Sequence, residues 1–166
     1  MTVMTSPPSS VVSEAPRSQL GSITEMTEYV LPQHANVFGT VFGGQIMAWV
    51  DLCAAITAQR HSGHPCVTAF VDDLLFESPV RVGEVVKLRA RVTATFRTSM
   101  EIEVIVKGEN SLTRAEWPCL NCLATFVAID AARTPTPVPP LLLDTDELRA
   151  MQRAGEERRH VRLGKR

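Results

Sequence analysis

Between residues 44 and 60 the chain is apolar in nearly every direction that a helix presents. Ile46, Met47, Ala48, Trp49, Val50, Leu52, Cys53, Ala54, Ala55 and Ile56 cover all sides of a 3.6-residue period, which predicts a helix buried on all sides. One charged residue interrupts it, Asp51. Elsewhere the period shortens to two. In residues 85–96, Val86, Leu88, Ala90, Val92, Ala94 and Phe96 alternate with Lys87, Arg89, Arg91, Thr93 and Thr95, the mark of a strand with one face on a core and one in water. Residues 100–107 put Met100, Ile102, Val104 and Val106 on one face, as a hairpin turning at 97–99 requires. Further strands are expected at 22–30, 67–76 and 117–129, the last apolar on both faces and therefore central or covered by another subunit. A strand, a helix and then a run of antiparallel strands predict an α+β fold, one long central helix wrapped by a curved antiparallel sheet.

Punctuation sets the boundaries. Residues 1–20 are rich in Ser and Pro and read as a disordered leader; the main domain runs over 21–131. Residues 132–166 begin with the stiff connector RTPTPVPP and continue as a charged helix over 144–162, ending in the basic cluster Arg158, Arg159, His160 and Arg162. At 166 residues the chain suits one domain, large enough to bury about 70% of its unfolded surface. Its formal charge of −1 gives no global attraction to nucleic acid or an anionic membrane. With no apolar leader and no run of about 18 apolar residues, a soluble cytoplasmic protein is expected, without membrane or nucleic-acid partners.

The four cysteines read as small buried hydrophobes. Cys119 and Cys122 form a CxxC, but on a strand positions three apart face opposite ways, so no shared metal is expected. His34, His61 and His64 read as structural or solvated, and Trp49 as core.

Chemistry is sought first at Asp51. A lone carboxylate in apolar surroundings is costly unless it is hydrogen-bonded or lines a cleft; a satisfied structural carboxylate is the alternative. Gly43 and Gly44 stand at the helix start, where bare backbone exposes unpaired N–H groups and the positive end of the helix dipole. Close helix–sheet packing would also explain them. Asp51 lies two turns beyond Gly44, on the same helix face and roughly 10 Å along.

The stretch H-A-N-x-x-G-x-x-F-G-G-x-x-x-x-W-x-D from His34 to Asp51 resembles the acyl-CoA thioesterases of the hotdog fold, in the branch of the bacterial YciA type and the mammalian cytosolic acyl-CoA hydrolases. The resemblance continues through Arg60 and His61, Val67-Thr68-Ala69, Val71-Asp72, the F-x-x-P-x-x-x-G of Phe76, Pro79 and Gly83, Thr98-Ser99-Met100-Glu101, and Thr125-Phe126-Val127-Ala128. It implies a hotdog fold, a homo-oligomer built as a dimer or trimer of dimers, and hydrolysis of acyl-CoA without metal or organic cofactor, coenzyme A being part of the substrate. It also assigns catalytic roles to Asp51 and to Asn36, the two coming from different subunits. Asp51 suits a general base toward water or a nucleophile toward the carbonyl. Asn36 would hold the thioester or the water, and the N–H groups near Gly43 and Gly44 the oxyanion; loop shaping is the plainer role for Asn36. Coenzyme A contacts are implied at Ala69, Phe70 and Val71, at Thr98, Ser99 and Met100, and at the tail residues Arg158, Arg159 and His160, whose alternative is a solvated helix. A non-catalytic acyl-CoA-binding hotdog is the second reading, and a hotdog dehydratase using His34 fits the motif less well.

Overall fold

A computed structural model describes residues 15–165. Five antiparallel strands form one sheet in the order β1-β3-β4-β5-β2. They are β1 (Thr24–Tyr29), β2 (Cys66–Phe76), β3 (Val85–Thr95), β4 (Ser99–Glu109) and β5 (Glu116–Ala128). The helix α1 (Gly43–Ser62) carries the chain from one edge strand to the other across one face of the sheet, and α2 (Asp146–Gly164) follows the connector. The core lies between α1 and the inward rows Val86, Leu88, Ala90 and Val92 of β3 and Met100, Ile102, Val104 and Val106 of β4. β5 is central, between β4 and β2, as its two apolar faces predict.

Burial of α1 is one-sided, contrary to expectation. Ile46, Trp49, Val50, Cys53, Ala54, Thr57, Ala58 and His61 face the sheet, whereas Ala48 and Asp51 are exposed and Leu52 keeps 52% of its surface open. An apolar exposed stripe on a helix asks for a covering surface. The strand beside it has the same property. β2 has no strand partner on its outer edge among the described residues, yet Val67, Phe70, Val71, Leu74 and Phe76 are exposed and Leu75 is 70% open. A long apolar edge of this kind is a pairing hazard unless another chain covers it.

Alternation along β3 holds only to Val92. Register passes from Val92↔Ile102 to Ala94↔Glu101, leaving Thr93 as an extra residue, and such a bulge reverses the facing of the residues beyond it. Ala94 and Phe96, expected inward, therefore meet α2 on the other face: the Ala94 methyl lies against Gly155, and the Arg159 guanidinium sits 5.1 Å from the Phe96 ring. The face expected to be wet is thus partly roofed by α2. A Cβ on Gly155 would come within 2.5 Å of that of Ala94 and 3.2 Å of Glu101 Oε1, so glycine is what lets the helix approach. The helix starts at Thr145, whose hydroxyl accepts from Leu148 N at 3.1 Å, with Asp146 and Glu147 complementing the dipole in the first turn.

Of the expected leader, residues 1–14 lie outside the described residues. Its last part is fastened to the body. Arg17 N donates to Pro140 O and Leu142 N to Arg17 O, each at 2.8 Å, and buried Gln19 donates to Val92 O at 2.6 Å. His61, in the last turn of α1, joins the same knot. Its Nε2 donates to Pro139 O at 3.0 Å, Arg17 donates to its carbonyl at 2.8 Å, and its Nδ1 is buried without a partner among the described residues. Burial holds the imidazole below its usual value of 6.5, so the unfolded chain takes up a proton that the folded one resists. The stability that neutral His61 confers is complete above 6.5 and is lost as pH falls through the lowered folded value. His61→Gln keeps the donor and removes the titration. Its melting temperature should fall less than that of the wild type between pH 7 and pH 5; parallel decline in a thermal melt series would clear His61 of this role.

Candidate active site

The exposed face of α1 meets the inner face of β2 at one hydrogen bond: Thr68 Oγ1 donates to Asp51 Oδ1. Asp51 is therefore neither buried nor unpartnered in the single chain. It stands in the apolar stripe beside Leu52, where a second surface would enclose it. Thr68 is placed by an irregularity in β2. Register runs Thr68↔Phe126 and then Phe70↔Thr125, so Ala69 has no cross-strand partner. Backbone at such a bulge is released from the ladder at Ala69, whereas Phe70 and Val71, the other two residues expected to meet coenzyme A on this strand, stay paired with β5.

Asn36 shapes its own loop. Its Oδ1 accepts from Phe38 N at 2.9 Å and Thr40 N at 3.3 Å, and its Nδ2 donates to Thr40 Oγ1 at 3.1 Å. Gly39, with φ of 73°, completes the turn. All the hydrogen bonds of Asn36 among the described residues stay within this loop, so one chain does not join it to Asp51. One of the two amide N–H bonds is left over, and the neighbouring Val37 and Phe38 are almost fully exposed.

Gly43 and Gly44 open α1 behind Phe42, which offers no side-chain cap. Their N–H groups are thus the unpaired donors of a helix start. The two glycines differ in surroundings. A Cβ on Gly43 would lie 3.2 Å from the Phe76 ring, while one on Gly44 meets nothing within 4 Å. Packing inside the chain accounts for Gly43 but not for Gly44. A cavity of about 390 Å³ adjoins this end of the helix, lined by Val41, Gly43 and Ile46 and by the segment from Phe76 to Pro79, Glu77 included.

On the opposite face the basic tail is largely committed. Arg158 makes a two-pronged contact with Glu101, Nη2 to Oε1 at 2.7 Å and Nε to Oε2 at 3.0 Å, and Thr93 adds a hydrogen bond to Oε1 at 2.8 Å. The Glu101 carboxylate raises the Arg158 pKa further. Arg158, expected to meet coenzyme A, is therefore the partner of a buried carboxylate; Arg159 lies over Phe96, and only His160 of the three is exposed. Of the hairpin residues, Thr98 and Ser99 are half-buried, whereas Met100 is 0% exposed and can offer only its backbone. Two residues named in the sequence without a site role acquire one from their contacts: Thr68, and Arg162, which touches both Phe70 and Asp72.

All four cysteines are free. Cys119 and Cys122 both enter the core, because Cys119 falls at a register shift between Pro118↔Lys107 and Leu120↔Val106, not on the opposite face as strand spacing predicts. Burial pushes the thiols of Cys53, Cys119 and Cys122 up to about 11, which leaves them poor nucleophiles. No cluster of three or more potential metal ligands, and no helix long and apolar enough to cross a membrane, occurs among the described residues.

A long helix, α1, laid on one face of a five-stranded antiparallel sheet, with Asp51 and Thr68 meeting where helix and edge strand adjoin, defines a hotdog-fold protein. Comparisons with known proteins agree. The model of the thioesterase superfamily matches residues 38–115. The acetyl-coenzyme A thioesterase of Rattus norvegicus is 37% identical over 138 residues, 83% of this chain and 25% of that protein; the chain spans about a quarter of the length of the first curated relatives it matches. The uncharacterized acyl-CoA thioester hydrolase YkhA of Bacillus subtilis (strain 168) is 35% identical over 141 residues, 82% of each chain. The chain belongs to the acyl-CoA thioester hydrolases of the thioesterase superfamily.

Among solved structures, an apo-hexameric acyl-CoA thioesterase superposes with a TM-score of 0.85 at 35% identity, covering 91% of this chain and 97% of that one. The Staphylococcus aureus acyl-CoA hydrolase in complex with butyryl coenzyme A, coenzyme A and coenzyme A disulfide gives 0.81 at 30% identity, covering 90% and 91%. That hydrolase has also been solved as alanine mutants of one asparagine, one aspartate and one threonine, spaced 15 and 17 residues apart. Asn36, Asp51 and Thr68 follow one another at the same intervals.

Proposed function

We propose that the protein hydrolyses the thioester of acyl-CoA to a free acid and coenzyme A, at sites completed by a second copy of the chain. The observation that carries this reading is the Thr68 hydroxyl directed at Asp51 on an apolar helix face open to a partner. Asp51 acts as general base toward water or as nucleophile toward the carbonyl. Thr68 orients the carboxylate and stabilises its charge. In the water route the proton passes to Asp51, the new C–O bond forms, and the oxyanion is met by the N–H groups of Gly43 and Gly44. Its collapse breaks the C–S bond and releases the thiolate of coenzyme A.

Asn36 belongs to this site from the partner subunit: in its own chain it serves only its loop, while its spare N–H and the exposed Val37 and Phe38 face outward. Pairing of the open β2 edges joins two copies, and the hexamer seen in a similar thioesterase suggests a trimer of such dimers. Coenzyme A runs along the bulge of Ala69, Phe70 and Val71 and the hairpin of Thr98 and Ser99. Arg159 and His160 remain to meet its phosphates. A thiol-release assay over a panel of acyl-CoAs tests the reading. Turnover of at least one chain length is expected, and tight acyl-CoA binding without thiol release would instead select the non-catalytic binder.

The open space at Gly44 gives a sharper test. Gly44→Ala adds a methyl that meets nothing in its own chain, so melting temperature should stay put. At the proposed site that methyl stands over the oxyanion donors, where a lost donor costs about 10²-fold in kcat. Unchanged kcat would remove the helix start from the mechanism.

A further inference from the structure

Behind the strand that carries Thr68, on the face of the sheet away from Asp51, α2 lays one arginine over two residues of β2. Arg162 Nη1 donates to Asp72 Oδ2 at 3.1 Å, and its guanidinium carbon sits 5.0 Å from the centre of the Phe70 ring. The arginine side chain is only 15% exposed. Phe70 and Asp72 bound the one short regular stretch between two breaks in register, at Thr68/Phe70 and at Asp72/Leu75. A strand whose ladder to its neighbour is broken twice has a weakly specified path against β5. Something must fix where the bulge sits.

The anchorage for that task is built. Glu101, 1% exposed, holds Arg158 of α2 by two hydrogen bonds one helical turn before Arg162, and Gly155 seats the helix against it. Glu101, Thr125 and Phe70 are successive register partners across β4, β5 and β2. The helix is thus pinned to one transverse row at its inner end by Glu101 and at the strand edge by Phe70. A pair made between a largely desolvated guanidinium and a carboxylate, with the ring stacked beneath, resists sliding in a way that an exposed ion pair does not.

We infer that Arg162 is a positioning residue for the hydrolytic site: by holding Phe70 and Asp72 it fixes the bulge at Ala69 and thereby the Thr68 hydroxyl on Asp51. This rests on the roles proposed for Asp51 and Thr68. Misplacement of a reacting group by about 1 Å costs up to 10²-fold in rate, whereas substrate contacts away from the bulge are untouched. Arg162 therefore acts on kcat through Thr68, and its effect disappears when Thr68 has no hydroxyl to place.

The test is a double-mutant cycle on the full chain, with Arg162→Met, Thr68→Val and the pair, plus Arg162→Lys as the conservative variant. Arg162→Met should lower kcat roughly ten- to hundredfold with KM for acyl-CoA nearly unchanged, and should add nothing to Thr68→Val. Arg162→Lys, which keeps the ion pair, should recover most of the loss. Additive losses, or a loss confined to KM, would overturn the inference, the latter by making Arg162 a coenzyme contact. Should Arg162→Met not fold, the cycle is run with Asp72→Ala, which removes the acceptor of Arg162 Nη1 from the strand side, and is judged by the same criteria. Failure of the hydrolytic reading itself is distinguishable: the wild type would then bind acyl-CoA without releasing thiol, or Asp51→Asn would retain activity, whatever the cycle gives.

Discussion

Asp51→Asn is expected to leave the fold, the oligomer and acyl-CoA binding intact while lowering kcat by at least 10²-fold, the ordinary contribution of a general base or nucleophile. Three observations combine in this expectation. The side chain is exposed in the single chain, so an isosteric amide loses no buried partner. Its one side-chain hydrogen bond among the described residues comes from Thr68 Oγ1, which an amide oxygen accepts equally well. The neighbours on the helix face are apolar and cannot substitute as a base. Burst and steady-state thiol release, with binding measured separately, check it. Hydrolysis near the wild-type rate would sink the assignment of Asp51.

The second large effect is complementation. Asn36→Ala and Asp51→Ala proteins should each be nearly inactive alone, yet a mixture under subunit exchange should recover activity. With random pairing half the dimers are mixed, and each mixed dimer holds one intact site of two, so about a quarter of wild-type activity should return. Exchange is verified by tagged subunits. If mixed dimers form and remain inactive, Asn36 and Asp51 do not share a site across the interface.

Asp51 stood out in the sequence as the one charge in a stretch of apolar residues, and the structure sets it on the open face of α1 with a hydrogen bond from Thr68 instead of in the burial that the pattern predicted. The strands and both helices were legible from period alone, within a few residues of their ends. Thr68 was named only within the motif Val67-Thr68-Ala69, and its contact with Asp51 was not legible, because threonine is an ordinary strand residue and only the bulge at Ala69 aims it at the helix. The same limit hid the docking of α2. The bulge at Thr93 and the burial of Glu101 arise together from the helix lying on Ala94 through Gly155, a tertiary arrangement that an alternating pattern does not encode. It likewise decided which basic residues of the tail are spoken for. Arg158 and Arg162 share a helix face, and only the positions of Glu101 and Asp72 across the sheet show that both are paired. Periodicity also overstated the burial of α1, because apolar residues that await a second chain look the same in sequence as those already covered.

The strand order sets when the site can exist during folding. β3, β4 and β5 are joined by short hairpins and close with little loop entropy, whereas β2 must find β5 across the whole length of β3 and β4. The meander can therefore form before either edge strand has docked, and β2 zips on afterwards with its outer edge still bare. Thr68 reaches Asp51 only at that step, and on the proposed shared site the Asn36 of a second copy would arrive only after collision with another nearly finished chain. If the site is shared in this way, hydrolytic competence arrives last and at a rate that depends on protein concentration, and refolding at high dilution should show native secondary structure well before activity.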